Sequence, residues 1–169
     1  MVRIAVAFAI VAVVGIAVKA RQDDQPAVYT AEQAARGKLA MRTNALATRE
    51  AFGACSDCHA EGLRGRVGEP SERPSVESLK PGLQREIAKY RGRIPDLVGP
   101  AFRARWANRS VKDLSVNFKD RFAPALNEET RLDILAYVLS ENGFRAGSEP
   151  LTMATDVPFR LLAGSDAPW

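Results

Sequence analysis

The chain is poor in the side chains that most often bind metals. Its 169 residues include one histidine, two cysteines and three methionines. A single imidazole excludes a centre held by two histidines, and three thiol or imidazole groups are too few for a structural zinc site. Long runs of alternating apolar and polar residues are missing, as are internal repeats. The pattern therefore predicts an all-α protein with long loops.

Charge is balanced along most of the chain. The 24 Lys and Arg residues face 20 Asp and Glu residues, which leaves a net charge of +4. Because the two signs alternate, the composition does not favour a nucleic-acid partner. The most basic stretch is 80–93, which either steers an acidic partner or forms an ordinary solvated surface. Its basic residues are Lys80, Arg85, Lys89, Arg91 and Arg93.

The N-terminal segment has the features of an export signal. Arg3 precedes an uncharged apolar run at 4–18, and Ala20 offers a small residue at a cleavage position. An uncleaved membrane anchor is the alternative, although a span needs roughly 20 residues. We therefore predict a signal peptide or anchor at 1–20, a linker at 21–28 and a periplasmic or exported domain.

Both cysteines and the histidine fall within five consecutive positions, Cys55-Ser-Asp-Cys58-His59. This spacing is typical of covalent c-type haem attachment. Two thiols three positions apart reach the two porphyrin vinyl groups, and the neutral imidazole of His59 is a good iron ligand. A disulfide between Cys55 and Cys58 would constrain little of the unfolded chain, and a thioredoxin-like pair gives no role to His59. The motif predicts one covalent haem c.

Helix-capping residues after the linker predict the starts of three helices. Thr30 with Gln33 forms a capping-box pattern that opens a helix extending to about residue 50. Its apolar stripe consists of Ala34, Gly37, Met41 and Ala45. Ser110 with Asp113 predicts a second helix over about 111–119. Asn127 caps a third helix, which Asn142-Gly143 ends. One face of this third helix carries Leu132, Leu135, Ala136 and Leu139.

These segments resemble the periplasmic monohaem class I cytochromes c, in particular those associated with quinoprotein dehydrogenases. The similar segments are 29–37, the Cys55–His59 motif, 95–97, 101–114 and 132–137. The resemblance implies a cytochrome c-like fold of three main helices around one covalent haem. It covers 29–146, with a long loop insertion at 61–94 and a C-terminal tail at 147–169.

The resemblance also implies roles for individual residues. His59 is the proximal ligand, and the backbone carbonyl of Pro95 accepts a hydrogen bond from its second ring nitrogen. Trp106 and Arg109 lie by the haem propionates, although Trp106 fits equally as a core residue. Gly37 allows the first helix to approach Tyr137, unless it is simply a tolerated small residue.

The distal side of the haem departs from the family pattern. The loop 118–126 carries Phe122 about where relatives have their methionine ligand. Met153 in the tail is one candidate for the sixth ligand, since Met41 fits the core of the first helix. Lys119 and an open or water-filled site are the other candidates.

Three functions follow from these options. The first is a carrier of single electrons from a periplasmic dehydrogenase to an oxidase or another terminal acceptor. The second is a haem protein with an open sixth site that binds small ligands. The third is a fixed haem subunit of a larger redox complex. The absence of a second histidine argues against efficient peroxidase chemistry.

Overall fold

The computed structural model describes residues 25–43, 55–59, 62–64, 81, 84, 85, 88, 96–122 and 126–162. Its helices are α1 (Ala31–Thr43), α2 (Cys55–His59), α3 (Gly99–Trp106), α4 (Val111–Phe122), α5 (Glu128–Glu141) and α6 (Phe159–Leu162). No strand occurs in these ranges, where an isolated bridge pairs Ser110 with Pro158. The all-α prediction is therefore confirmed for this part of the chain.

None of the described helices is both long and apolar enough to cross a bilayer. The predicted signal or anchor at 1–20 lies outside the described residues, as does Pro95.

Two predicted helix starts are confirmed. At α4 the Asp113 carboxylate accepts a hydrogen bond from the Ser110 backbone N–H at 2.9 Å, and the Ser110 hydroxyl accepts one from the Asp113 N–H at 3.3 Å. At α5 the Asn127 side chain accepts a hydrogen bond from the Thr130 N–H at 2.8 Å. Each cap satisfies backbone donors that the first helical turn leaves unpaired.

The end of α4 lies further along the chain than predicted. The helix continues to Phe122, so residues 118–122 are helical rather than part of a loop. Leu114 is buried, and Phe118 packs against the hydrophobic core four residues later. Residues four apart share one helical face, so both side chains pack against the core. This packing stabilises the helix beyond its predicted end.

Helix α1 packs chiefly against α5, and their backbones touch at Gly37. A Cβ atom built on Gly37 would lie 1.8 Å from the backbone oxygen of Asp133. The predicted close approach to the last helix is thus present, one turn before Tyr137. Beside it, Arg36 donates two hydrogen bonds to the Asp133 carboxylate, at 2.9 and 2.8 Å. These bonds raise the pKa of the Arg36 guanidinium.

The start of α1 is only half of a capping box. The Thr30 hydroxyl accepts a hydrogen bond from the Gln33 N–H at 3.1 Å, as predicted. The Gln33 side chain instead pairs with the backbone of Leu151, donating to its carbonyl at 3.0 Å and accepting from its N–H at 2.7 Å. Gln33 is buried, so this pairing replaces hydrogen bonds to water.

We expect Gln33→Ala to lower the free energy of unfolding by about 2 kcal/mol, because it leaves two backbone groups of Leu151 buried without partners. Urea denaturation measures the change. Lys38→Ala, on the exposed side of the same helix, is the matched control and should stay within about 0.5 kcal/mol of wild type. Equal stability of the two variants would contradict the assigned role of Gln33.

The core is built around α5. Nine consecutive residues, Arg131–Leu139, are buried, so this helix is surrounded rather than packed on one face. The predicted apolar face and the predicted core position of Met41 are both confirmed. Burial also raises the pKa of the Tyr29 phenol, whose hydroxyl donates a hydrogen bond to the carbonyl of Phe144.

The predicted tail is part of this core. Its first residue, Gly147, donates a hydrogen bond to the Tyr29 carbonyl at 2.8 Å. Further along, the Phe159 N–H donates to the Arg109 carbonyl at 3.0 Å. The tail side chains that are at most 2% exposed are Leu151, Phe159 and Leu162. Residues 147–162 therefore tie the start of α1 to the junction between α3 and α4.

Candidate cofactor site around the cysteine motif

The cysteine motif forms a helix of its own. Cys55–His59 is helical and contacts α1. Cys55 is half-buried against the hydrophobic core, and His59 is also half-buried. Positions 55 and 58 are three apart, which places them on the same side of a helical turn. The helical backbone of the motif is therefore compatible with two thiols that attach to one group. The side chain of Cys58 lies outside the described residues.

The chain after the motif is tied to the segment that follows Pro95. Leu63 is buried and has a φ of 56°, a left-handed conformation that is uncommon for a residue with a side chain. Its carbonyl accepts a hydrogen bond from the Leu97 N–H at 2.8 Å. Pro95 lies two residues before that bond and His59 four residues before it. This bond therefore joins the chain just after the motif to Leu97; Pro95 itself lies outside the described residues.

Asn142 connects this region to the last helix. Its side-chain amide donates hydrogen bonds to the carbonyls of Leu97 at 2.9 Å and Val138 at 2.8 Å, and its oxygen accepts one from the Gly99 N–H at 3.1 Å. Asn142 is buried at the end of α5, where Gly143 follows with a φ of 80°. The sequence pattern identified Asn142 only as a helix end, because its partners Leu97 and Gly99 lie more than 40 residues away.

Trp106 lies at the end of α3 in an aromatic cluster. Its ring centroid is 6.3 Å from that of Phe159, which is in turn 5.8 Å from Phe102. The guanidinium carbons of Arg105 and Arg109 lie 5.6 and 5.4 Å from the Trp106 ring centroid. Trp106 is 4% exposed, whereas Arg109 is exposed. This buried ring contributes to the core, and the arginine above it presents charge to solvent.

Among the described residues, two buried side-chain atoms have no hydrogen-bond partner. They are Oδ1 of Asp96 and Nε of Arg131. Asp96 directly follows Pro95, and Arg131 lies near the start of α5. Buried polar groups normally have partners, so each of these atoms could bind a group beyond the described residues. Asp96 falls in the similar segment 95–97 without an assigned role, and no motif pointed to Arg131.

The candidates for a sixth ligand are spread over two segments. Met153 is half-buried in the tail and packs against the hydrophobic core, two residues after Leu151. Lys119 is exposed on α4. Phe122 is the last residue of α4, and its side chain lies outside the described residues. Among the residues described here, no cluster of three or more His, Cys, Asp or Glu side chains could hold a metal ion.

No family model, curated protein or solved structure matches the chain. A function for the chain is therefore supported by the Cys55–His59 motif, by its hydrogen-bonded surroundings and by the family resemblance of the sequence.

Proposed function

We propose that the chain is a c-type cytochrome that carries single electrons through one covalent haem in the periplasm. The observation that supports this most directly is the Cys55–His59 motif, which forms a helix of its own against α1. Bound haem supplies a one-electron iron couple whose potential depends on the axial ligands and the surrounding charges. The electron would come from a dehydrogenase and pass to a terminal acceptor.

The polypeptide has a defined part in this proposal. Cys55 and Cys58 would hold the porphyrin through thioether bonds, and His59 would ligate the iron. The resemblance gives the Pro95 carbonyl as the acceptor for the second ring nitrogen of His59, which would fix the tautomer. The hydrogen bond from the Leu97 N–H to the Leu63 carbonyl supports this arrangement, because it joins the chain just after the motif to a residue close in sequence to Pro95.

The charged surroundings also fit a haem. A haem brings two carboxylates, and the resemblance gives Trp106 and Arg109 as the candidate partners of its propionates. The exposed basic side chains on and after α3 then give a docking partner with acidic groups something to recognise. These side chains are Arg105, Arg109 and Lys112.

The absorption spectrum of the purified haem-loaded protein tests the proposal. We expect a covalent c-type haem spectrum that survives extraction with acidified acetone. A protein purified without haem after expression with a haem-attachment system would contradict the function.

A second spectrum tests Met153 as the sixth ligand. If Met153 ligates the iron, Met153→Ala removes the weak long-wavelength band of the oxidised form, which marks a methionine-iron bond. Met41→Leu is the control, because Met41 is a core residue and the exchange conserves volume. A band of unchanged intensity in Met153→Ala would exclude this ligand.

The packing of Met153 supports a second candidate function. Its side chain packs against the hydrophobic core, so Met153 has a place in the fold that does not depend on iron. An iron without a methionine ligand would bind small molecules such as carbon monoxide in its reduced form. Rapid carbon monoxide binding by the reduced wild-type protein would favour this ligand-binding function over simple electron transfer.

A further inference from the structure

Asn142-Gly143 is a chemically labile pair that electron transfer does not use. The backbone nitrogen of a following residue can attack an asparagine amide, and glycine hinders this attack least because it has no side chain. Of the asparagines in the chain, Asn142 alone is followed by a glycine. Asparagine is among the thermolabile residues of proteins. The sequence therefore makes Asn142 the most reactive asparagine of the unfolded chain.

The reaction at this pair is a deamidation, which consumes water and releases ammonia. The Gly143 nitrogen gives up its proton and bonds to the side-chain Cγ of Asn142, and the bond from Cγ to Nδ2 breaks as ammonia leaves. Water then opens the cyclic imide, which leaves aspartate or isoaspartate at position 142. The step involves no oxidant or reductant, so the solvent supplies everything that it consumes.

The native backbone keeps the two reacting atoms apart. A five-membered ring needs the Cβ atom of Asn142 and the Gly143 nitrogen on the same side of the Cα–C bond. The ψ angle of Asn142 is 1°, which instead places that nitrogen beside the backbone nitrogen of Asn142. The Gly143 N–H also donates a hydrogen bond to the Ser140 carbonyl at 2.9 Å. The peptide plane therefore cannot rotate into the reactive position unless this bond breaks.

The side chain of Asn142 is held in place as well. It is 8% exposed, and its amide donates to the carbonyls of Leu97 and Val138 while its oxygen accepts from the Gly99 N–H. The amide cannot turn towards the Gly143 nitrogen while these bonds are intact. Reaction therefore requires this contact to open, a local event that can leave the rest of the fold in place.

We propose that Asn142 is a deamidation site that reacts only when the contact between the end of α5 and residues 97–99 opens. The product cannot restore that contact, because a carboxylate has no N–H to donate to the carbonyls of Leu97 and Val138. Its negative charge also lies at the C-terminal end of α5, where the helix dipole disfavours an anion. An opening that leads to reaction is thus irreversible, and it does not require a bound haem.

Peptide mass spectrometry of the full-length protein measures the reaction. Digestion with trypsin releases the peptide Leu132–Arg145, which contains Asn142 and no other asparagine. The protein is incubated at mildly alkaline pH, either native or unfolded in urea, and the mass gain from amide to carboxyl group is followed. We expect the native rate to be at least about tenfold below the rate in urea, because few native molecules are open at any time.

Gly99→Ala tests the role of the contact itself. Gly99 has a φ of 73°, so an alanine is strained there although its Cβ would meet nothing within 4 Å. This strain raises the open fraction, and we expect native Gly99→Ala to deamidate several-fold faster than wild type. Gly62→Ala, whose Cβ also meets nothing within 4 Å, is the matched control and should react at the wild-type rate. In urea all of these proteins should react equally.

Three results would overturn the proposal. They are a native wild-type rate equal to the rate in urea, the absence of reaction in urea, and a native Gly99→Ala rate equal to that of wild type. The first two need no variant, so they remain decisive if Gly99→Ala does not fold. Asn142→Asp, which imitates the product, should unfold at a lower temperature than wild type, and an unchanged temperature would contradict the irreversible loss of the contact.

Discussion

Replacement of both Cys55 and Cys58 by serine is expected to abolish covalent haem binding. Thioether bonds require thiols, and a serine hydroxyl does not add to the porphyrin vinyl groups. The haem should remain with the wild-type polypeptide on a denaturing gel and be absent from the double variant. A peroxidase stain for haem measures this loss directly.

Ser56→Ala is the matched control for the double variant. Ser56 lies between the two cysteines on the same short helix and is half-buried like Cys55. It should retain its haem stain, since it contributes no thiol. If the wild-type polypeptide carries no haem and thiol titration finds Cys55 and Cys58 oxidised, the motif is a disulfide and the cytochrome proposal is wrong.

The substitution Gly37→Ala is expected to destabilise the fold by about 3 kcal/mol or more, because the new methyl group overlaps the backbone of α5. The added Cβ would lie 1.8 Å from the Asp133 oxygen and 2.4 Å from the Asp133 carbonyl carbon. Backbone atoms inside a helix cannot rotate away, so α1 and α5 must separate. That cost exceeds the gain of about 1 kcal/mol that alanine brings to a helix interior.

Urea denaturation of Gly37→Ala beside Gly62→Ala measures this effect. A Cβ atom on Gly62 would meet nothing within 4 Å, so its replacement should leave stability within about 0.5 kcal/mol of wild type. Comparable stability of the two variants would show that the helices do not approach closely at Gly37.

Local signals in the sequence were sufficient for the starts of α1, α4 and α5 and for the end of α5. Ser110, Asp113 and Asn127 bond to backbone groups three residues away, so their spacing alone indicated the caps. Helix α3 was not predicted, because its one local signal is Pro100 in the first turn. Proline is favourable there, since the first turn needs no N–H donor from it.

Long-range partners account for what the sequence did not show. Gln33 has the spacing of a capping box, but its amide bonds to the backbone of Leu151, 118 residues away in sequence. A dipeptide or a helical period carries no information about such a partner. The same holds for Asn142, whose partners Leu97 and Gly99 lie more than 40 residues away.

The candidate site could be proposed from the sequence where its residues are close together. Cys55, Cys58 and His59 lie within five positions, a spacing typical of haem attachment. The candidates for a sixth ligand come from segments far apart in the chain, so the sequence could not decide between them. Met153 lies in a tail whose packing becomes visible only in three dimensions.

The buried tail has a consequence for the order in which the protein forms. Leu151, Phe159 and Leu162 are among the most deeply buried side chains, and all three follow α5 in the chain. Until they have been synthesised, the Gln33 amide and the Arg109 carbonyl lack the partners that Leu151 and Phe159 provide. The core around α5 can therefore close only after residues 151–162 have been made. If the protein is exported, this delay would keep the chain unfolded during translocation. Cys55 and Cys58 would then remain accessible to a haem-attaching enzyme.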